Sequence, residues 1–347
     1  QVYLVMFIAI KPKNKFPINN LKVFYGGSKG GNVGGPQVKI QKLNNKFPEK
    51  LLNFNILYLI SNNQYLTKST LNLIKKKNIP IFLNQNGVYY PTWYKGNYSK
   101  KNLEMSYAYH LSDYVFWQSN FCKMASDKFL GKRKGNGEIL YNSVDTQAFK
   151  PIRKSNKYFT FLITGNIDKN NNYRITSVIE ALRDMYKLDK SVRLIVAGNI
   201  GSSNHLKRII SQMKLEKVVN FIGKFNQIEA PKIYQLADAY ITMAYKDNCP
   251  SAVLEAMSSG LPVLYSASGG LPELVNRETG IGLYVENSWE KIKIPKKEDI
   301  LKGMFEIINQ KNSMSEAARI RVLEKFDLKS WYKRHEFIFR NFSKQNI

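Results

Sequence analysis

Short apolar runs recur along this chain, each ending in glycine or a polar turn, and stretches with apolar residues at helical spacing separate them. In the first half, the runs at 21–25, 55–60, 79–83, 114–118 and 138–141 predict strands. The stretches at 37–43, 68–77, 103–111 and 121–129 predict the helices between them. The second half restarts the alternation, with strands expected at 158–164, 192–197, 218–222, 239–243 and 261–264. Helices are expected there at 174–186, 205–213 and 230–236, and in a short element carrying Val253, Leu254, Ala256 and Met257 that Gly260 ends. Three more helices, at 302–309, 314–325 and 331–342, close the chain. Strands alternating with helices in this way build parallel sheets. The polar stretch 146–156, which contains Pro151, marks a boundary. The expected domains are therefore 1–150 and 151–325, with 326–347 as a closing helix that packs back toward the first domain. Residues 2–10 (VYLVMFIAI) form the most apolar run; they read as a buried strand or the remnant of an upstream element. That run falls well short of the ~20 residues that span a bilayer. It also lacks the basic lead and small-residue cleavage site of a secretory signal.

Composition narrows the picture. A chain of 347 residues, 44% of them hydrophobic, can bury two sizeable cores. The formal charge is +27, and the first 150 residues are the denser part, with 22 Lys and Arg against 6 Asp and Glu. Such a surface suits nucleic acid, anionic lipid or an acidic substrate, and says nothing about fold. The same lysine abundance also fits a compositional bias of the source genome. The basic residues are scattered and match no nucleic-acid-binding motif, so nucleic acid is not an expected partner. Cys122, Cys249 and three histidines offer neither a disulfide framework nor a metal-ligand spacing, which fits a reducing, cytoplasmic setting.

Candidate chemistry concentrates in 247–275. A polar turn from Asp247 to Ser251 opens a helix, and a second turn, from Ser266 to Gly270, opens another with Pro272 and Glu273 in its first turn. Helix N-termini carry unpaired N–H groups and partial positive charge, so two side by side suit an anionic ligand. Asp247 and Glu255 would repel a phosphate, and their natural partners are hydroxyl groups. Phosphate flanked by hydroxyls describes a nucleotide sugar. Two features of the first half carry a similar ambiguity. The glycine-rich stretch 26–35, between a strand and a helix opened by Pro36, reads either as a phosphate-cradling loop or as a flexible surface loop. Asn84 to Gly87 follow a strand, where open parallel sheets bind ligands. The aromatic cluster Tyr89, Tyr90, Trp93, Tyr94 and Tyr98 beyond it could stack on a sugar, meet a membrane or simply pack the loop.

Taken together these residues resemble the signature of the family 4 retaining glycosyltransferases. Its elements stand here as Asp247 through Glu255-Ala256-Met257, then Gly260-Leu261-Pro262-Val263, then Gly269-Gly270-Leu271-Pro272-Glu273. Tyr141 to Asp145 with Phe149 and Pro151 resembles the family's linker, and Val196-Ala197-Gly198 and Val219 to Gly223 its middle strands. Gly34-Gly35 fits its N-terminal glycine loop. The resemblance implies an α/β protein of the GT-B fold, two Rossmann-like parallel-sheet domains facing each other across a cleft, with the acceptor side N-terminal and the nucleotide sugar C-terminal. It places the ribose on Glu255 and the donor hexose hydroxyls on Asp247, which is one methylene shorter than the family's Glu. Backbone groups of Pro250, Ser251 and Ala252 would face the sugar and diphosphate, and N–H groups of Gly35 and Gly270 the leaving group. The Arg that relatives carry after the first strand of the second domain is Asn166 here, so Lys169 or Arg174 must supply that charge. Where many members have a histidine, this chain has Gln85 and Asn86, which can hydrogen-bond a sugar hydroxyl but cannot take its proton. The implied catalytic residues are thus Asp247 and Asn86. The implied donor-binding set is Gly34, Gly35, Lys169, Arg174, Gly198, Gly223, Pro250, Ser251, Ala252, Glu255 and Gly270.

The expected activity is transfer of a hexose from a UDP- or GDP-linked sugar to a hydroxyl of a glycan or glycolipid, with retention and without a metal or other cofactor. The expected location is cytoplasmic, with contact to an anionic membrane face. Rival readings are a GT-B nucleotide-sugar 2-epimerase, a donor-binding protein without turnover, and a nucleic-acid-binding protein.

Overall fold

The computed structural model describes residues 2–16, 18–152, 157–201 and 203–342, leaving aside the side chain of Val2. Part of the expected boundary stretch, 153–156, and the end of the expected closing helix, 343–347, lie outside the described residues. The chain forms two compact units, Gln1–Tyr141 with Lys329–Ile347, and Asn142–Leu328.

In the first unit the elements run α1 (Val2–Ile10), β1 (Val23–Phe24), α2 (Gly35–Lys46), β2 (Ile56–Ile60), α3 (Lys68–Lys76), β3 (Ile81–Gln85), α4 (Tyr98–Leu111), β4 (Tyr114–Trp117), α5 (Asn120–Phe129) and β5 (Asn136–Ile139). The five strands are parallel and lie in chain order. Residues 2–10 are a helix, not the expected strand. A uniformly apolar run carries no period to choose between the two, and a helix satisfies its backbone without a partner strand. Its Leu4 and Ile8, one turn apart, are buried, whereas Tyr3, Met6 and Ile10 are exposed.

The second unit runs β6 (Phe159–Ile167), α6 (Tyr173–Leu188), β7 (Val192–Ile200), α7 (Ser203–Gln212), β8 (Val219–Gly223), α8 (Ala230–Tyr234), β9 (Ala239–Thr242), α9 (Ser251–Ser258), β10 (Val263–Ser266), α10 (Leu271–Leu274), β11 (Gly280–Leu283), α11 (Lys297–Asn309) and α12 (Lys311–Lys325). Its parallel sheet has the order β11-β10-β9-β6-β7-β8. Read from β6 as the first strand, this is the doubly wound 3-2-1-4-5-6 order, whose direction reverses between β6 and β9. Ile163, Val178, Ile179, Leu194, Val196, Ile241, Leu264 and Met304 are among the residues that fill the core. The strand β11 was not anticipated: two glycines in four residues hide its apolar pattern.

The chain crosses between units at 141/142 and 328/329, and hydrogen bonds explain why 142–150 stays with the second. Val144 bridges Asp327 in parallel, and Thr146 Oγ1 donates to the Asp327 carboxylate at 2.6 Å. Arg319 donates to the carbonyls of Thr146 and Phe149 at 2.9 and 2.7 Å. The last helix, α13 (Leu328–Asn341), belongs almost wholly to the first unit. It lies on the sheet face where Tyr58 and Phe82 stand abreast, as do Asn84 and Phe116. Phe339 meets Phe82 at a ring distance of 4.8 Å and His335 meets Phe116 at 4.7 Å. Buried His335 has Tyr58 Oη 3.0 Å from Nε2 and the Trp331 carbonyl 2.9 Å from Nδ1. Burial pushes its pKa down to about 3, so the ring is neutral, Nδ1–H donates to the carbonyl and Nε2 accepts from Tyr58.

Candidate functional site

In a doubly wound sheet the ligand crevice opens beyond the carboxyl ends of the strands, at the point of reversal. In the second unit that point falls at the end of β6 and in the 243–250 loop after β9. Two turns are laced together there. Ser266 Oγ donates to the Ala244 carbonyl at 2.6 Å, Lys246 N–H to Ser268 Oγ at 3.0 Å, and Gly270 N–H to the Asp247 carbonyl at 2.8 Å. Gly269 is required: its φ is +66°, and a Cβ would lie 2.3 Å from the Asp247 carbonyl oxygen.

Glu255 sits midway along α9 and is only 7% exposed. One carboxylate oxygen accepts from Gln227 Nε2 and the other from Tyr234 Oη, both at 2.9 Å. Tyr234 lies 3.3 Å from Thr164 Oγ1, which is 3.0 Å from Tyr240 Oη. Burial, and then the Glu255 charge, raise the pKa of Tyr234 well above the ordinary phenol value. The hydroxyl therefore stays protonated and donates. A carboxylate buried with two fixed donors is preorganised to accept further hydrogen bonds from a ligand diol.

Asp247 is partly buried, and its Oδ1 accepts from Cys249 N–H at 3.2 Å. Loss of solvation raises its pKa, while the Arg174 guanidinium opposes the rise. Arg174 is in the first turn of α6 beside this loop, and Tyr173 Oη accepts from Tyr245 N–H at 3.2 Å. Arg174 Nε, Asn172 Oδ1 and Asn248 Oδ1 are buried without a hydrogen-bond partner within the chain. Pro250 caps α9, so Ser251 and Ala252 begin its first turn.

The structure thus brings together Asp247, Pro250, Ser251, Ala252, Glu255, Gly270 and Arg174. Lys169 is exposed on a 3-10 turn (Lys169–Asn171) capped by Asp168, and Asn166 Oδ1 accepts from Asn199 at 2.9 Å. Three of the expected donor residues have other commitments within the second unit. The Gly270 N–H is committed to the Asp247 carbonyl and does not point at a leaving group. Gly198 owes its identity to strand packing, because a Cβ there would lie 2.1 Å from the Gly165 carbonyl oxygen. Gly223 ends β8 at the far edge of the sheet, away from the reversal. In the first unit, exposed Gly34 caps α2 and Gly35 is its first residue.

Asn86 is the centre of an amide cluster in the first unit. Its Oδ1 accepts from Lys39 Nζ at 3.1 Å and from Gln118 Nε2, and its Nδ2 donates to Asn62 at 2.8 Å. Lys39, buried on α2, also donates to Asn84 at 2.7 Å. Both ends of the Asn86 amide are therefore occupied, which makes it a scaffold within this cluster.

Sequence reasoning missed the partners of Glu255, Tyr234 and Gln227, and it missed Lys246. That lysine is buried at φ +56°, a left-handed conformation uncommon for its type. Its Nζ lies 3.4 Å from the centre of the Trp289 ring. No spacing rule links positions so far apart; the one available signal was the aromatic-basic pair Tyr245-Lys246 directly before Asp247.

Among solved structures, the Anabaena protein HepE in complex with UDP and glucose superposes with a TM-score of 0.65 at 16% identity, covering 89% of this chain and 82% of that one. The likeness, with the two parallel-sheet units, establishes the GT-B fold. An uncharacterized glycosyltransferase of Methanocaldococcus jannaschii is 31% identical over 98 residues, 28% of this chain and 25% of the relative. The alpha-monoglucosyldiacylglycerol synthase of Acholeplasma laidlawii is 24% identical over 168 residues, 48% of this chain and 39% of the relative. The matched segments thus span between a quarter and two fifths of these relatives' lengths. The sequence model of the glycosyl transferases group 1 family matches residues 144–320, half of the chain and nearly all of the second unit, and the chain belongs to that family.

Proposed function

We propose that this chain is a family 4 retaining hexosyltransferase. It would move a hexose from a UDP- or GDP-linked sugar to a hydroxyl of a glycan or glycolipid acceptor, without a metal. The observation that carries the reading is Glu255, a buried carboxylate held by Tyr234 and Gln227 at the reversal point of the sheet. There it would accept the two ribose hydroxyls of the donor. Asp247 would accept from hexose hydroxyls, while the α9 N-terminus at Ser251 and Ala252 and the Arg174 guanidinium face the diphosphate. The C1–O bond to the β-phosphate breaks and the acceptor oxygen bonds to C1 on the same face. The acceptor proton passes to the departing phosphate oxygen, so no protein base is needed. Arg174 Nε and Asn248 Oδ1, buried and unpartnered within the chain, are the polar atoms a donor would satisfy.

The first unit would serve the acceptor and an anionic membrane face. Tyr3, Met6 and Ile10 stand exposed on α1, which packs on the lysine-rich α3. No helix among the described residues is long and apolar enough to cross a membrane. The Acholeplasma relative carries the name of a glycolipid synthase. The test is a panel of UDP- and GDP-sugars with sugar and lipid acceptors, read by release of nucleotide diphosphate and by the anomeric configuration of the product. A donor-dependent release with the donor's configuration preserved is expected. Binding of no donor overturns the transferase reading, an inverted product the retaining one, and an epimerised donor without acceptor transfers the chain to the epimerases.

A further inference from the structure

The second unit holds a cavity of about 420 Å³ at the opposite end of its sheet from the donor residues. Asp238 in its wall precedes β9, and Gly260 and Leu261 precede β10. The helix α9 joins the two places, with Ser251 at the donor end and Ser259 just past its last turn, a rise of about 12 Å. The volume is that of an ordinary small-ligand site.

Two features of the wall describe an occupant. Ser259 is 7% exposed, yet its hydroxyl has no hydrogen-bond partner within the chain, and the buried Ser315 hydroxyl is in the same state. Buried polar groups are otherwise almost always paired, so these two leave hydrogen bonds for a water or a ligand hydroxyl to make. The two described cations, by contrast, are committed. Lys311 faces Asp238 at 3.5 Å, and the Arg319 guanidinium is committed to Ser258 and to the carbonyls of Thr146 and Phe149. Among the described residues of the wall, neither cation is left over to favour an anion. Leu261 and Ile320 give an apolar wall suited to the C–H face of a sugar ring. Tyr234 also lines the cavity, and its hydroxyl donates to Glu255 at 2.9 Å.

We propose that this cavity is a second carbohydrate site, taking one uncharged hexose ring, free or at the end of a glycan, and signalling its occupancy to Glu255 through Tyr234. Occupancy stands independently of the donor reading; the signal rests on it.

The test titrates glucose, galactose, mannose and their disaccharides into the full chain, followed by saturation-transfer NMR and calorimetry. At least one sugar should bind saturably. Binding should weaken at least tenfold in Ser315→Leu, which fills the space, and several-fold in Ser259→Ala, which removes only a hydroxyl; melting curves confirm that both variants fold. Asp247→Ala should leave it unchanged. No saturable binding to the wild-type chain overturns the proposal, as does undiminished binding in both serine variants, a water-filled cavity being the alternative. Loss of binding in Asp247→Ala would move the sugar to the donor site. Preference for a disaccharide over its monosaccharide identifies a glycan end as the source. With the sugar saturating, the Kd of UDP or GDP should shift at least threefold in the wild type and not in Tyr234→Phe; an equal Kd with and without sugar overturns the coupling. If neither nucleotide binds, the donor reading fails and the sugar titration still decides the cavity.

Discussion

Glu255→Gln separates the proposed donor role of this carboxylate from its place in the core. The side chains are nearly isosteric, so the cavity around it does not change. In the wild type both oxygens accept, one from Gln227 and one from Tyr234. In the variant the new amide nitrogen would face Tyr234 and donate to its hydroxyl, which can turn its own hydrogen to Thr164 Oγ1, 3.3 Å away. The internal network therefore survives. Two charge-assisted bonds become neutral ones, and the desolvation cost of a buried charge disappears. These terms oppose each other, and stability should change by less than about 1 kcal/mol.

A ribose diol has no such compensation. Each hydrogen bond to a charged acceptor contributes about 1.5–3 kcal/mol, against about 0.5–1.5 kcal/mol for a neutral one. The amide, moreover, offers one accepting oxygen where the carboxylate offered two. A loss of roughly 2–3 kcal/mol follows, or about a 30- to 150-fold rise in Kd. Calorimetric titration of UDP and GDP into both proteins measures it, and urea melts measure stability in parallel. Nucleotide affinity within threefold of wild type, in a variant that melts normally, would refute the assignment of Glu255 to the ribose. A variant that fails to fold would refute the reasoning about its network.

Other features make their own commitments. His335 is buried neutral with its pKa down at about 3, against 6.5 for an ordinary histidine, so the unfolded chain takes up a proton that the folded chain refuses. Its contribution is complete above pH 6.5 and is lost as pH falls toward 3. About 2 kcal/mol should go between pH 7.5 and 5, and urea melts of wild type and His335→Gln should show that slope only in the former. Lys246→Met removes the cation stacked on Trp289 at 3.4 Å and should cost about 2 kcal/mol; a change under about 0.5 kcal/mol in the same melts would deny the contact any weight. Gly269→Ala forces a Cβ to within 2.3 Å of the Asp247 carbonyl. It should cost about 2–4 kcal/mol and raise the donor KM in the transferase assay, and an unaffected KM would uncouple this turn from the site. Recovery of the chain on anionic vesicles should exceed that on neutral ones and fall severalfold in Met6→Asp with Ile10→Asp, while equal recovery everywhere would leave α1 without a membrane role.

How far the sequence reaches depends on the kind of interaction. Both parallel sheets were legible because buried strands such as Ile56–Ile60 and Val263–Ser266 are continuous apolar runs bounded by turns. The order of the second sheet was implied only through resemblance, since strand order follows from contacts that no local pattern records. The helix at Val2–Ile10 and the strand at Gly280–Leu283 escaped for opposite reasons, one too uniformly apolar and one too rich in glycine. In the site, Asp247 and Glu255 were recognisable by their eight-residue spacing around a helix start. Tyr234 and Gln227 were not, because a hydrogen-bond partner supplied by another element leaves no periodic trace. Asn86 illustrates the reverse case: its position after β3 suggested chemistry, and the structure adds three neighbouring side chains that hydrogen-bond its amide.

The two departures from the signature that the sequence resembles, Asp for Glu at 247 and Asn for Arg at 166, both fall where the second sheet reverses. A guanidinium at the end of β6 would stand where Asn166 instead pairs with Asn199 on the neighbouring strand. Arg174, in the first turn of α6, carries the charge that opposes the rise burial gives the Asp247 pKa. That first turn is tied to the loop after β9 by the bond between Tyr173 and the Tyr245 amide. One carboxylate, a methylene shorter than the signature's, and one guanidinium, from a later position, therefore stand at the reversal point of the sheet.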